Sequence, residues 1–393
     1  MTTSIIITLC VLILLAYLFD ISSAKTRIPT VILLLLLGWI LKRLTSFFSI
    51  SVPDLSSLLP LLGTVGLILI VLEGSLELEL NRSKLPLVKK AAIVSFFPLI
   101  VSALLLAWLF SYFGGYQYKQ TLINVLPFSI ISSAIAIPSA RNLGTYSREF
   151  VTYESSLSDI VGVIIFNFVA LNAVIDASAF LHFGWQLVLI LIVSFLASVG
   201  LSYLLGRIRH HIKFIPIMVM VILIYIVSKH YHLPSLLFIL LFGVFLGNLD
   251  ELKQNKWIAR LKPDNLNKEV HKFKEIATEA AFVIRTFFFL VFGYLIEKAE
   301  LLNADTFIWA VVVVATIFIT RAIQLKISGL KLSPLLFVAP RGLISILLFL
   351  SISQTDKIEM VNNSLIIQVI ILTALVMMIG MMGVKKNTIS TSA

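Results

Sequence analysis

Long apolar runs separated by short polar ones make up nearly all of this chain, and that spacing leaves few folds open. About thirteen runs are long enough to cross a bilayer, a crossing needing roughly 20 mostly apolar residues. They fall near 4–20, 28–44, 55–73, 87–113, 121–140, 149–175, 184–206, 212–229, 234–249, 276–297, 305–325, 334–354 and 363–384. Runs eight and nine are short and are joined by Lys229–Pro234. With no water in the hydrocarbon core, backbone polar groups must be bonded internally, which runs of this length achieve as helices. The 393 residues are 59% hydrophobic and 13% charged, where a soluble domain is about one-half apolar and one-quarter charged. The sequence therefore predicts an all-α polytopic membrane protein, with residues 1–393 forming a single transmembrane domain in the lipid bilayer. The first run has no basic leader and no clear cleavage site, so it is expected to be a retained helix rather than a signal peptide.

The formal net charge is +11. In a soluble protein that excess would suggest nucleic acid; here it fits loops facing anionic lipid, and no nucleic-acid partner is expected. With the N-terminus outside, one side collects Lys25, Arg27, Arg82, Lys84, Lys89, Lys90, Arg141, Arg148, Arg207, Arg209 and Lys213. The same side takes the basic residues of 250–275 and Lys326, Lys331, Lys385 and Lys386. These are roughly 22 of the 31 basic residues, a bias that puts this side in the cytoplasm. The opposite side has only Lys42, Arg43, Lys119, Lys229, Lys298 and Lys357. The expected location is the cell (plasma or inner) membrane, with the N-terminus outside and the C-terminus cytoplasmic. The segment 250–275 reads as a cytoplasmic inter-repeat loop. Within it, Trp257, Ile258 and Leu261 form either an amphipathic interfacial helix ahead of Pro263 or part of a plain connector.

Soluble chemistry has little to work with. Cys10 is the one cysteine, so there is no disulfide framework, and no Cys/His spacing suggests zinc. The six histidines fall in loops or at span ends, where solvated or interfacial imidazoles are the expectation. No enzyme activity and no cofactor are expected.

Two spans are interrupted. Span 5 holds Pro127, Ser129, Ser132, Ser133, Pro138 and Ser139; span 12 holds Pro340, Arg341 and Gly342 in its first half. Proline removes a backbone donor and glycine weakens a helix. In a membrane the freed groups are tolerated only against protein or a water-filled cavity. The two spans stand seven apart in the count, an odd offset that reverses direction, as in transporters built from two inverted halves.

Charged residues gather beside these breaks. In span 6, Asp159 lies roughly 16 Å from the cytoplasmic end, close to the middle of a core about 30 Å thick. Ser155 shares its face at i,i+4, and Glu154 shares another face with Ser158. Glu154 and Asp159 point about 140° apart. Intramembrane carboxylates are costly and mark pathways or binding sites. Arg285, Arg321 and Arg341 lie inside spans as candidate structural partners. A carboxylate paired with Arg stays charged, whereas one without Arg exchanges protons near neutral pH. Glu154 is therefore expected to be paired and structural, and Asp159 accessible and ion-binding. Glu73 closes span 3, with Glu77 and Glu79 beyond; it is either a solvated helix end or a carboxylate drawing cations to the inner mouth.

Taken together, these pieces resemble the monovalent cation/proton antiporter superfamily, the sodium/proton exchangers in particular. They are LILIVLEGSLEL in span 3, SIISSAIAIPSARNLG in span 5, YESSLSDIVGVIIFN in span 6, RTFFFLVFG in span 10, TRAIQ in span 11 and PRGLISILL in span 12. The resemblance implies an inverted-repeat fold in which two unwound helices, spans 5 and 12, cross beside Asp159. It also implies a homodimer, with a dimerisation part near 1–80 and 207–300 and a core transport part near 85–175 and 304–384. Asp159 would be the shared proton and monovalent-cation ligand, Ser155 a helper, Glu154 a partner of Arg321, and Arg341 a bridge from span 12. The family usually carries Asn-Asp or Asp-Asp in span 6; here the pair is Ser158-Asp159, which favours one-for-one, electroneutral exchange. Span 5 lacks the common Thr-Asp-Pro and looks more like the potassium/proton efflux branch, with Ser132 or Ser133 supplying oxygens.

The expectation is thus an antiporter exchanging protons for Na⁺ by competition at Asp159. The alternatives are a K⁺/H⁺ antiporter or K⁺ efflux protein of the same fold, with Li⁺ also a candidate cation, and, in another class, an ion channel or transporter-like sensor.

Overall fold

A computed structural model describes residues 2–26, 28–50, 52–78, 83–172, 174–208, 210, 212–249 and 263–383. Among them every regular element is a helix. In chain order these are α1 (Thr2–Thr26), α2 (Thr30–Phe47), α3 (Leu58–Leu76), α4 (Leu85–Gly114), α5 (Tyr118–Ser129), α6 (Ser133–Ser139), α7 (Thr145–Leu171) and α8 (Ala177–Arg207). There follow α9 (Phe214–His230), α10 (Ser235–Gly247), α11 (Pro263–Leu295), α12 (Lys298–Leu301), α13 (Ala304–Ile327), α14 (Leu343–Ser351) and α15 (Asn363–Met382).

Among the described residues, nine stretches are long and apolar enough to cross a membrane. Three shorter apolar helices are also present, Ile7–Ser23, Phe214–His230 and Ser235–Gly247. All twelve overlap runs expected from the sequence. The remaining run, 334–354, is not one helix: turns and non-helical chain reach Gly342 before α14 begins. Large apolar side chains on these helices face outward, Leu181 at 81% and Phe195 at 63% exposure on α8 among them. On a soluble protein that surface would aggregate; on membrane-length helices it is the lipid face.

One boundary differs from the sequence reading. The polar segment 250–275 is helical from Pro263 onward and continuous with α11. Proline suits a first helical position, and Leu266, Val270, Phe273, Ala277 and Ala281 recur on one buried face. A search for unbroken apolar runs does not detect such an amphipathic stretch. Residues 250–262, with Trp257, Ile258 and Leu261, lie outside the described residues, as do Arg27, Glu79, Arg82, Arg209, Lys385 and Lys386.

The chain divides into two compact units. The first comprises Met1–Gly63, Lys90–Asp159 and Val283–Ala393. Here Gly38 of α2 and Gly293 of α11 let two helix backbones touch. A Cβ at Gly38 would stand 2.8 Å from Tyr294 N, and one at Gly293 2.8 Å from Leu35 Cα. Lys42 pairs with Glu297 past the end of α11. Gln368 of α15 donates to the carbonyls of Glu300, Leu301 and Asn303 at 2.9–3.4 Å, gathering the chain around α12. Asn124 of α5 likewise donates to Asp356 O at 2.6 Å. Asn303 and Asn362 cap the first turns of α13 and α15 with their side chains.

The second unit comprises Thr64–Lys89 and Ile160–Phe282. In it α10 packs on α8 and α9. Asn248 donates to Leu78 O and Val244 O, both at 2.7 Å, tying the end of α10 to the chain after α3. Asp176 caps α8, and the Ala179 N–H it accepts holds its carboxyl below the ordinary value. A cavity of about 310 Å³ is lined by Asn167, Phe168, His182, Gln186, Tyr231 and His232, among others.

Candidate functional site

The site grows out of the break in span 5. The helix α5 stops at Ser129, Ile130 and Ser132 are extended, and α6 restarts at Ser133. An uninterrupted helix would have bonded the N–H groups of 131, 132 and 133 to the carbonyls of 127, 128 and 129. All six groups are buried, so each needs another partner. The structure supplies one for every group. Ile131 N–H donates to Ser158 Oγ at 3.0 Å, Ser132 N–H to Pro340 O at 2.9 Å, and Ser133 N–H to Asp159 Oδ2 at 3.2 Å. On the acceptor side, Pro127 O takes the Ser345 hydroxyl at 2.7 Å. Phe128 O takes Arg341 Nε, and Ser129 O takes Arg341 Nη2 at 3.4 Å.

The second break is held in the same manner. Arg341 N–H donates to Thr373 Oγ1 at 3.1 Å, and Arg341 Nη1 to Ala339 O at 2.9 Å. A guanidinium has five donors in a rigid fork, and here it serves carbonyls freed by both interruptions. Its charge acts on Glu154 and Asp159 alike.

On α7 the two carboxylates have different surroundings. Glu154 is fully engaged: Arg321 Nη1 and Nη2 bond its two oxygens, the second at 2.9 Å. Arg321 also donates to Leu335 O through Nε at 3.0 Å and Nη2 at 2.7 Å, so the pair anchors the non-helical chain before Pro340. Both side chains are almost completely buried, at 1% and 2% exposure. Such a pair holds together because each charge is matched and its remaining donors are used.

Asp159 is buried too, but only Oδ2 is bonded. Its Oδ1 has no partner, and the hydroxyls of Ser129 and Ser132 are likewise buried and unpartnered. Orphaned buried oxygens call for an explanation, an ion being one. A carboxylate bonded to a break that carries neutral hydroxyls suits a proton or a hard cation. Gly342 keeps the space beside Ser132 open, since a Cβ there would stand 3.0 Å from Ser132 Oγ.

The other expected residues take different positions. Ser155 Oγ donates back to Val151 O at 2.7 Å rather than to Asp159. Ser133 stays at the Asp159 carboxylate, through its side chain as well as its backbone N–H. Arg285 is buried on α11. Glu73 sits half-buried on α3, within the second unit. Among the described residues no group of three or more His, Cys, Asp or Glu could hold a metal. Sequence reasoning assigned no role to Ser129, Ser345 and Thr373. Thr373 was visible in principle, one span after the second break as Ser158 is one span after the first.

The family model for the transmembrane region of sodium/hydrogen exchangers matches residues 10–384. The chain belongs to that family. It is therefore an integral membrane protein of the monovalent cation/proton antiporter superfamily, whose members are secondary active transporters and not enzymes. Two solved structures of the sodium proton antiporter MjNhaP1 from Methanocaldococcus jannaschii share the exchanger fold. The one at pH 8 is 17% identical with a TM-score of 0.68, covering 97% of this chain and 96% of that one. The structure from an electron-microscopy map is 18% identical with a TM-score of 0.69, covering 96% and 95%. A comparison with curated protein sequences gives no match.

Proposed function

We propose that this exchanger swaps protons for monovalent cations, Na⁺ foremost, by competition at Asp159, one charge for one charge. The observation that carries this reading is the buried, unpartnered Asp159 Oδ1, on a carboxylate bonded to the break in span 5, where two serine hydroxyls are also unpartnered. Glu154 is occupied by Arg321, so one carboxylate remains to bind. Proton or cation neutralises Asp159; an empty charged site is costly to carry through lipid, which couples the two fluxes. Ser158 adds no second charge, in keeping with electroneutral exchange. Replacing Asp159 by Asn should abolish cation-dependent proton flux in proteoliposomes, and full retained exchange would sink the assignment.

A K⁺/H⁺ exchanger is the second reading. It is favoured by a span 5 that lacks the Thr-Asp-Pro of many sodium exchangers and offers the neutral oxygens of Ser132 or Ser133. The remaining expectations belong to the same proposal: thirteen crossings with spans 5 and 12 crossing unwound, N-terminus outside, and residence in the plasma membrane. So do a homodimer built through 1–80 and 207–300, a moving core of 85–175 and 304–384, and Glu73 attracting cations at the inner mouth.

A further inference from the structure

We propose that Ser158 and Thr373 are a matched pair of positioning residues, each a hydroxyl peg that fixes one broken span around the ion site. The inference rests on the antiport reading at Asp159 and extends it to two residues that do not touch the ion.

Each hydroxyl stands on the helix that follows a break. Each accepts a single backbone N–H that the break sets free: Ser158 Oγ from Ile131 at 3.0 Å, Thr373 Oγ1 from Arg341 at 3.1 Å. Both side chains are fully buried, so the bonds do not exchange with bulk water. Thr373 also donates to Val369 O at 2.9 Å, which orients its lone pairs toward the break. The two pegs act on neighbouring atoms of one site. Ile131 is two residues from Ser133, whose N–H fixes Asp159 Oδ2. Arg341 carries the guanidinium that takes the carbonyls of Phe128 and Ser129. One peg therefore sets where the Asp159 carboxylate is held. The other sets where Ser129 and its free hydroxyl stand.

A serine at 158 suits this work. It is short enough to stay beside its own helix and accept one N–H, and it leaves the site a single charge. On this view the hydroxyls set cation affinity through geometry, whereas maximal turnover, which depends on moving the loaded site, is little changed.

The test is Na⁺ titration of exchange in proteoliposomes. Removing either hydroxyl, by Ser158→Ala or by the near-isosteric Thr373→Val, should raise the apparent Michaelis constant for the cation about tenfold while maximal rate stays within about twofold. Ser158→Thr and Thr373→Ser keep the hydroxyl and should restore wild-type affinity. Wild-type Michaelis constants in both deletions overturn the proposal, and so does a loss of affinity that persists in Thr373→Ser. If one deletion variant fails to assemble, the other decides, since wild-type affinity there overturns the matched pair and a tenfold loss supports it. Asp159→Asn in the same vesicles separates the two levels. Exchange that survives it overturns the antiport reading itself. Exchange lost there but unaffected by both deletions overturns only the pegs.

Discussion

At the scale of single residues, the site is a set of precise backbone debts met by side chains. Gly342 shows how little room is left. A methyl there would lie 2.6 Å from Ile135 Cδ1 and 3.0 Å from Ser132 Oγ. The isoleucine end can turn aside, but the Ser132 hydroxyl would have to give way on a backbone already bonded to Pro340. Gly342→Ala should therefore raise the apparent Michaelis constant for the cation at least about fivefold by overpacking, read in the same flux assay with folded yield as control. The separation of Glu154 from Asp159 was legible in the sequence, because helix periodicity alone turns them apart. Their bonding partners lie on other helices, at Arg321 and at Ser133. The bond Ser158 makes was hidden for the same reason: the N–H it accepts lies in another span, beyond the reach of local pattern.

At the scale of elements, close backbone approach and a surface ion pair join α2 to the end of α11. Glu297 accepts a hydrogen bond from Lys42 and sits beside its charge, which together hold the Glu297 carboxyl below its ordinary value of 4.5. A lowered native value means the pair stabilises the fold above that ordinary value and loses its contribution as pH falls through the native one. Glu297 is 61% exposed, so solvent screening limits the pair to about 0.5 kcal/mol. Lys42→Met should lower the midpoint of thermal unfolding slightly at pH 7, with the difference from wild type vanishing in acid. A constant gap across pH would assign the effect to packing of the lysine stem. The breaks in spans 5 and 12 were readable from Pro127, Pro340 and Gly342, since proline removes a backbone donor and glycine weakens a helix, although Pro127 itself stands in the last turn of α5. The start of α11 was not, because polar residues on its open face interrupt the apolar run while its buried face continues.

At the scale of the whole molecule, charge bookkeeping sets the sharpest expectation. With Glu154 matched by Arg321 and no acid at 158, the proposed cycle moves one cation against one proton. Exchange driven by a Na⁺ gradient should then run at the same rate with the membrane potential clamped at zero or imposed in either sense. A rate that follows the potential would show that further charge moves. Running Na⁺, K⁺ and Li⁺ side by side in that assay ranks the cations. Membrane class was the most legible level of all, because lipid demands long apolar helices and composition records the demand. Cation choice was the least legible. On the proposed reading it depends on distances among a few oxygens from residues such as Ser129 and Ser132, which no spacing rule specifies.

The three amides at 131, 132 and 133 are consecutive, yet their partners sit on a serine, a carbonyl of span 12 and the Asp159 carboxylate. They form a natural set of isotope clocks. Deuterium uptake at Ser133 should slow or quicken with what occupies Asp159, uptake at Ser132 with separation of the two broken spans, and uptake at Ile131 with neither. Timing these neighbours under Na⁺ and under acid would reveal the order in which the machinery lets go.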